Sequence, residues 1–344
     1  MCGLADSIER RKSEHIDITL NEKVTGDRIT TGFERYSFVH QALPEIDFGE
    51  ISLDTDFLGF PCRTPFLISS MTGGTALAGR INRHLAEAAE ESGWVLALGS
   101  GRALLDGRGH EDSFRVREHA PGIPIIANLG AVQLNYGFGL DKCRRIIEMM
   151  DADMLVLHLN SIQEVIQNEG DLNFGGLLGK IEALCRELDV PVGVKEVGWG
   201  IDGGTAKKLV DAGVSFIDTA GAGGTSWSQV EKFRSADPVK RAAAEAFSDW
   251  GIPTADSLRS VRAQVGQPVI ASGGLRTGLD AAKALALGAD LAGFGRSILR
   301  EATESTEAVL RVLQTRELEL RIAMFGIGAR NLDALKNTPH LTGR

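Results

Sequence analysis

Lys195 stands inside Pro191-Val192-Gly193-Val194-Lys195-Glu196-Val197-Gly198, a run that otherwise reads as a buried parallel strand. An ammonium in such a place needs an anionic partner or a path to water. Three readings follow: a Schiff-base amine, a cation opposite a bound anion, and a strand-edge residue whose head reaches solvent. Glycine-rich turns follow comparable apolar runs at Ala271-Ser272-Gly273-Gly274 and Gly293-Phe294-Gly295-Arg296. Backbone N–H groups in such turns can hold a phosphate, with Arg296 adding a charge-assisted contact; the plainer reading is that each glycine closes a tight strand-to-helix turn. Two such turns beside a buried lysine point to a phosphate-bearing cofactor.

The elements that must position these groups can be read from period. Short β-rich runs, Pro65–Ser70, Val95–Ser100, Pro124–Leu129, Met154–Asn160, Pro191–Val197, Phe216–Ala220, Pro268–Ser272 and Leu291–Gly295, alternate with segments of helical pattern. The helical segments include Gly79–Ser92, Leu140–Met150, Gly176–Leu188, Thr205–Ala212, Ser257–Val265 and Gly278–Leu287. Eight such units predict an α/β fold of the (β/α)8 TIM-barrel type with an N-terminal extension, a doubly wound open sheet being the lesser alternative. The segment from Trp227 to Trp250 is an addition to the barrel and a candidate mobile cover.

In a barrel the strand ends converge on one mouth, where chemistry in this fold is placed. Those ends carry Ser69 to Gly74, Gly99 to Arg102, Asn128 to Gly130, His158 to Asn160, Lys195, Glu196, Thr219 to Gly221, Ser272 to Gly274, Gly295 and Arg296. Small hydroxyls, amides and glycines suit a flat polar ring and its phosphate, and no Ser–His–Asp or cysteine nucleophile is among them.

Composition narrows the class further. The chain has 344 residues, 43% hydrophobic and 24% charged, and a net charge of −9. That is enough to bury a large core, and it argues against a general nucleic-acid binder, so any anion must be met by locally gathered Arg and Lys. Cys2, Cys62, Cys143 and Cys185 lack metal-site or disulfide spacing, and no apolar run is long enough for a signal peptide or a membrane span, so a cytoplasmic protein is expected. No GxGxxG stretch lies between a strand and a helix with an acidic residue beyond it, which speaks against a dedicated nicotinamide domain.

Several blocks in order carry a more specific likeness: Arg11-Lys12-Ser13-Glu14-His15, His40 to Glu45, Ser70-Met71-Thr72-Gly73-Gly74, His158-Leu159-Asn160 with Gln163-Glu164, Val194 to Gly198, Gly223-Gly224-Thr225-Ser226-Trp227 and Trp250 to Thr254. Over residues 11 to 296 the chain resembles the type 2 isopentenyl diphosphate isomerases, the flavin-dependent family that interconverts isopentenyl and dimethylallyl diphosphate. The loop Gly101-Arg102-Ala103-Leu104-Leu105-Asp106-Gly107-Arg108-Gly109 matches that pattern less closely.

The resemblance implies residues 1–60 as an N-terminal arm contributing to the substrate site and 61–344 as the FMN-binding barrel. It places Met71, Thr72, Gly73, Ser100, Asn128, Lys195, Thr225, Gly273, Gly274, Gly295 and Arg296 along FMN, the last four around its phosphate. Lys195 would then face the pyrimidine edge, where a cation favours an anionic reduced ring. Substrate would meet Arg11, Lys12, His15, Ser100, Arg102, His158, Asn160, Gln163 and Trp227, and Glu164 would hold Mg2+ on the diphosphate. Without the resemblance, a basic tripeptide near a terminus is an ordinary solvated tail, Glu164 a surface carboxylate, His158 a packed core histidine and Trp227 a packing residue.

The implied reaction, a step of isoprenoid biosynthesis, moves a double bond with no net redox change. Reduced FMN would serve as acid and base with Gln163 as protein partner, and NADPH would serve only to reduce the flavin. A homo-oligomer, tetramer or octamer, is implied as well. The rivals are an FMN oxidoreductase of the α-hydroxyacid oxidase or dehydrogenase type, for which His158 would be the base, and a non-catalytic flavin-binding protein.

Overall fold

Eight parallel strands close into a barrel in the computed structural model, which describes residues 2–106 and 111–343. The strands are β1 Phe66–Ile68, β2 Val95–Ser100, β3 Ile125–Gly130, β4 Met154–His158, β5 Val192–Lys195, β6 Phe216–Asp218, β7 Val269–Ala271 and β8 Leu291–Phe294, and each pairs with its sequence neighbours. All eight expected runs are therefore strands of one barrel, and the open-sheet alternative is set aside. Residues 107–110 of the loop after β2, and the side chain of Cys2, lie outside the described residues.

Near-continuous burial along the strands explains their apolar, unalternating sequence, since both faces of the wall are covered. The helices lie outside. Ala76–Ser92 is typical: Thr75 caps its start by accepting from the Ala78 N–H at 3.0 Å, Gly93 ends it at φ 73°, and Ile81, Leu85, Ala86 and Ala89 face the wall. The helix starts three residues earlier than its apolar period predicts because Thr75, not the first apolar residue, sets the boundary.

The N-terminal residues do two separate jobs. A hairpin of Thr55–Phe57 and Phe60–Cys62 closes the lower end of the barrel, where Phe57 packs edge-on against Phe216 at 5.5 Å among Leu67, Val95, Ile126, Met154 and Ile270. Tyr36–Phe38 pairs antiparallel with Leu341–Gly343, tying the two ends of the chain together. Before them, the helix Cys2–Asn21 lies over the mouth, held by Arg296 and Arg300, which donate to the carbonyls of Thr19 and Leu20 in its last turn at 3.0 and 3.1 Å.

The Trp227–Trp250 segment is a packed pair of helices, Trp227–Arg234 and Pro238–Ala246. Ser228 donates to the Phe247 carbonyl at 3.2 Å and Gln229 to that of Ala244 at 3.0 Å, so the pair is internally fastened over the mouth.

One strand position has no spare room. A Cβ at Gly193 in β5 would stand 2.2 Å from the Phe216 ring. Gly193→Ala is expected to lower unfolding free energy by ~1–3 kcal/mol, measured by urea titration followed by tryptophan fluorescence.

Candidate active site

The strand register fixes the floor of the mouth. Gly130, His158, Lys195 and Asp218 are successive partners across β3, β4, β5 and β6, so their side chains share one level. Lys195 is buried there and donates to the carbonyl of Glu196 at 2.5 Å, which removes the reading in which its head reaches solvent. Its neighbour Glu196 turns away and accepts from the N–H groups of Val197, Gly198 and Trp199 at 2.7, 2.8 and 2.6 Å. Burial pushes that carboxyl up to about 7 against these three donors. Asp218, also buried, accepts from Ser272 Oγ at 2.6 Å.

His158 Nδ1 donates to Asn128 Oδ1 at 2.7 Å. Burial, aided by the charge of Lys195, drives its pKa down to about 3, so the ring is neutral with Nε2 as a free acceptor. A neutral ring can accept a proton at Nε2, but so low a pKa makes it a weak base.

Above this floor opens a cavity of about 690 Å3, within the usual range for a small-molecule site. Its lining includes every residue assigned above to cofactor, substrate or metal, from Arg11, Lys12 and His15 on the N-terminal helix to Gly295 and Arg296 after β8. Ser69 Oγ and Ser70 Oγ, at the end of β1, are buried in it without hydrogen-bond partners, and Gly293 keeps the way between Ser69 and Ser272 clear. Gly273 and Gly274 adopt φ of 106° and 78°, with their backbone packed against Gly221 and Gly223. Met71, Thr72 and Gly73 lead out of β1, and the absence of a Gly73 side chain admits the Phe114 ring, 2.2 Å from where a Cβ would stand. Thr225 is held by a bridge to Thr25. Unsatisfied hydroxyls, a buried ammonium and glycine turns fit a polar ring carrying a phosphate.

Arg296 has a second set of partners. Its Nε and Nη2 donate to the carbonyls of Thr19 and Glu22 at 3.0 and 3.4 Å, so its fork serves the negative end of the N-terminal helix as well as lining the cavity.

The other half of the cavity is a carboxylate and amide network. Glu164 is buried, accepting at Oε1 from Asn160 at 2.8 Å and at Oε2 from Gln167 at 3.2 Å and the Asp171 N–H at 2.7 Å. Burial raises its pKa in spite of these donors. Asn160 Oδ1 and Gln133 Oε1 are buried acceptors with no donor. Among the described residues no group of three or more His, Cys, Asp or Glu is gathered for a metal. A hard ion that keeps several waters needs fewer.

Sequence reasoning missed Glu231, which is buried behind His15 and Gln163 of the cavity lining. Its Oε1 accepts from His15 Nε2 at 2.9 Å and from Gln163 Nε2 at 3.1 Å, and its Oε2 from Arg234 at 2.5 Å. Burial opposes ionisation, but His15, Arg234 and Gln163 outweigh it and hold the carboxyl down at about 2. Glu231 lies one helical turn beyond Trp227, whose ring meets His15 edge-on at 5.1 Å, so an i, i+4 reading from Trp227 would have found it. Lys12 donates to the Ser100 carbonyl at 3.5 Å and lies 5.4 Å from the Phe114 ring centre. Arg102 and Gln133 both donate to Asp171 Oδ2 at 2.8 Å; Asp171 is a second residue the sequence reading missed.

Comparison with known proteins bears on the family and the fold. A family model for FMN-dependent dehydrogenases matches residues 5–103 and 152–342. The chain is 57% identical to an isopentenyl-diphosphate delta-isomerase of Oceanobacillus iheyensis, over 97% of this chain and 96% of that one. It is 49% identical to that of a Nostoc species, over 97% and 95%. In fold it is similar to a mandelate oxidase variant carrying an FMN adduct, with TM-score 0.67, 20% identity and 99% of both chains covered. A variant of a (S)-mandelate dehydrogenase chimera also has TM-score 0.67, at 19% identity over 99% of this chain and 97% of that one.

Neutral burial of His158 is open to direct measurement. Because its folded pKa of about 3 lies below the unfolded value of 6.5, the unfolded chain takes up this proton first, and the contribution of His158 to stability falls as pH drops between those limits. Nitrogen-15 NMR of the imidazole should show the Nδ1–H tautomer unchanged from pH 8 to pH 5; a titration near 6.5 would contradict the assignment.

Proposed function

The chain belongs to the isopentenyl-diphosphate delta-isomerases within the FMN-dependent dehydrogenase family, and we propose on that ground that it interconverts isopentenyl and dimethylallyl diphosphate. The observation that carries the reading is near-full-length identity to proteins of that name, joined to one cavity holding the residues the reaction would need.

When bound in its reduced form, FMN supplies the acid and base for the two proton transfers. The chain supplies the rest. Lys195 at the floor sets a positive charge under the ring site, with Ser69 and Ser70 as donors at its edge. Arg11, Lys12 and Arg102 meet the diphosphate, an arrangement an acidic chain must build locally. Glu164, with the unpartnered Asn160 Oδ1 beside it, offers hard oxygens to Mg2+ bound on that diphosphate. Gln163 gives its amide N–H to Glu231 and accepts from Asn160 Nδ2 at 3.4 Å, two bonds that would fix its carboxamide as the protein partner in proton transfer. Trp227 and His15 form the wall that keeps water from a cation-like carbon.

NADPH in this reading prepares the cofactor and is not consumed at each turnover. The 1–60 arm completes the substrate site through Arg11, Lys12 and His15. A homo-oligomer, tetramer or octamer, in the cytoplasm belongs to the same proposal; exposed Leu43, Leu318 and Ile322 are apolar surface available for subunit contact. No helix among the described residues is long and apolar enough to cross a membrane.

Anaerobic incubation with FMN, Mg2+, isopentenyl diphosphate and a trace of NADPH is expected to give many dimethylallyl diphosphate molecules per NADPH oxidised. Product tied one-to-one to NADPH, or none, would refute the isomerase reading. Gln163→Leu should lower kcat about 100-fold while retaining FMN, read by the same assay and by flavin absorbance.

A further inference from the structure

Asp171 lies in the loop 167–176, behind the lining of the cavity, yet it touches three of the loops that build it. Its Oδ2 accepts from Arg102 Nη1, which follows β2, and from Gln133 Nε2, which follows β3, both at 2.8 Å. Its own N–H donates to Glu164 Oε2, which follows β4, at 2.7 Å. The side chains of Arg102 and Asp171 are 34% and 17% exposed, so the pair is only partly screened by water.

We propose that Asp171 is a positioning residue for the diphosphate end of the substrate: it holds the Arg102 fork, and with it Gln133 and Glu164, in the orientation that receives the anion. An unrestrained arginine would lose most of its rotamer freedom on binding, and one fixed beforehand does not. The Nη1 bond to Asp171 leaves Nη2 and Nε of Arg102 for the phosphate oxygens. Asp171 reaches the reaction only through these neighbours and belongs to the binding step rather than to proton transfer. The idea rests on the isomerase reading, since it presumes a diphosphate at Arg102.

The test uses FMN-loaded protein with Mg2+ and inorganic pyrophosphate as the probe, titrated by calorimetry, alongside isomerase kinetics. Asp171→Ala is expected to weaken pyrophosphate about tenfold and to raise KM for isopentenyl diphosphate in parallel, with kcat and FMN content within about twofold of the parent. Asp171→Asn, which keeps an acceptor oxygen at the same place, should recover part of the loss and stands in if the alanine variant does not fold. In an Arg102→Ala background the Asp171→Ala change should add little, because the two act through one contact. Unchanged or tighter pyrophosphate binding in the Asp171 variants, or full additivity with Arg102→Ala, would overturn the proposal. Failure of the parent protein to bind pyrophosphate or turn over substrate would instead overturn the isomerase reading on which it rests.

Discussion

Charge taken out of water is the constraint around which this mouth is arranged. Lys195, Glu164, Asp218 and Glu231 are all buried, and each would be costly if left alone. The chain answers by sharing partners between loops: His15 and Gln163 on one oxygen of Glu231, Arg102 and Gln133 on one oxygen of Asp171, Asn160 and Gln167 on the two oxygens of Glu164. Glu231, Asp171 and Glu164 thus each set the direction of at least two other polar side chains. Shared bonds of this kind hold the polar side chains of the mouth in fixed directions and leave Asn160 Oδ1 and Gln133 Oε1 as the buried acceptors without a donor among them.

The barrel divides its labour along its axis. Below the floor, the Thr55–Cys62 hairpin seals the tube with Phe57 against an interior of aliphatic and aromatic side chains. At the floor the interior becomes polar within one residue step on several strands at once, because the register aligns His158, Lys195 and Asp218. The same parallel pairing that makes the lower part stable places the chemistry at the upper rim. Likeness to mandelate oxidase and mandelate dehydrogenase extends to this scaffold.

The eight strands were legible because each is a short apolar run, most of them ended by glycine or a small polar residue, and tertiary pairing did not alter that pattern. The cavity lining was legible through strand ends and through family likeness together. Glu231 and Asp171 were not, for different reasons. Glu231 sits in a helix whose charged residues look like an exposed face, and contacts with two helices distant in the chain, through His15 and Gln163, bury it. Asp171 lies in a loop without periodicity, where nothing in the local sequence says which carboxylate turns inward. Arg296 was read for its side-chain chemistry alone, and the carbonyls it also serves belong to a distant element.

The two-ended attachment of the arm sets a temporal order on the making of the molecule. Arg11, Lys12 and His15 leave the ribosome more than two hundred residues ahead of Glu231, Arg234, Arg296 and Arg300. The Tyr36–Phe38 strand finds its mate only at Leu341–Gly343. Nascent chains therefore carry the helix that covers the mouth undocked until nearly the whole barrel has been translated, and long-range closures of this kind are slow to form. A barrel stalled late in synthesis would own a sealed base and most of its polar floor, yet no finished mouth.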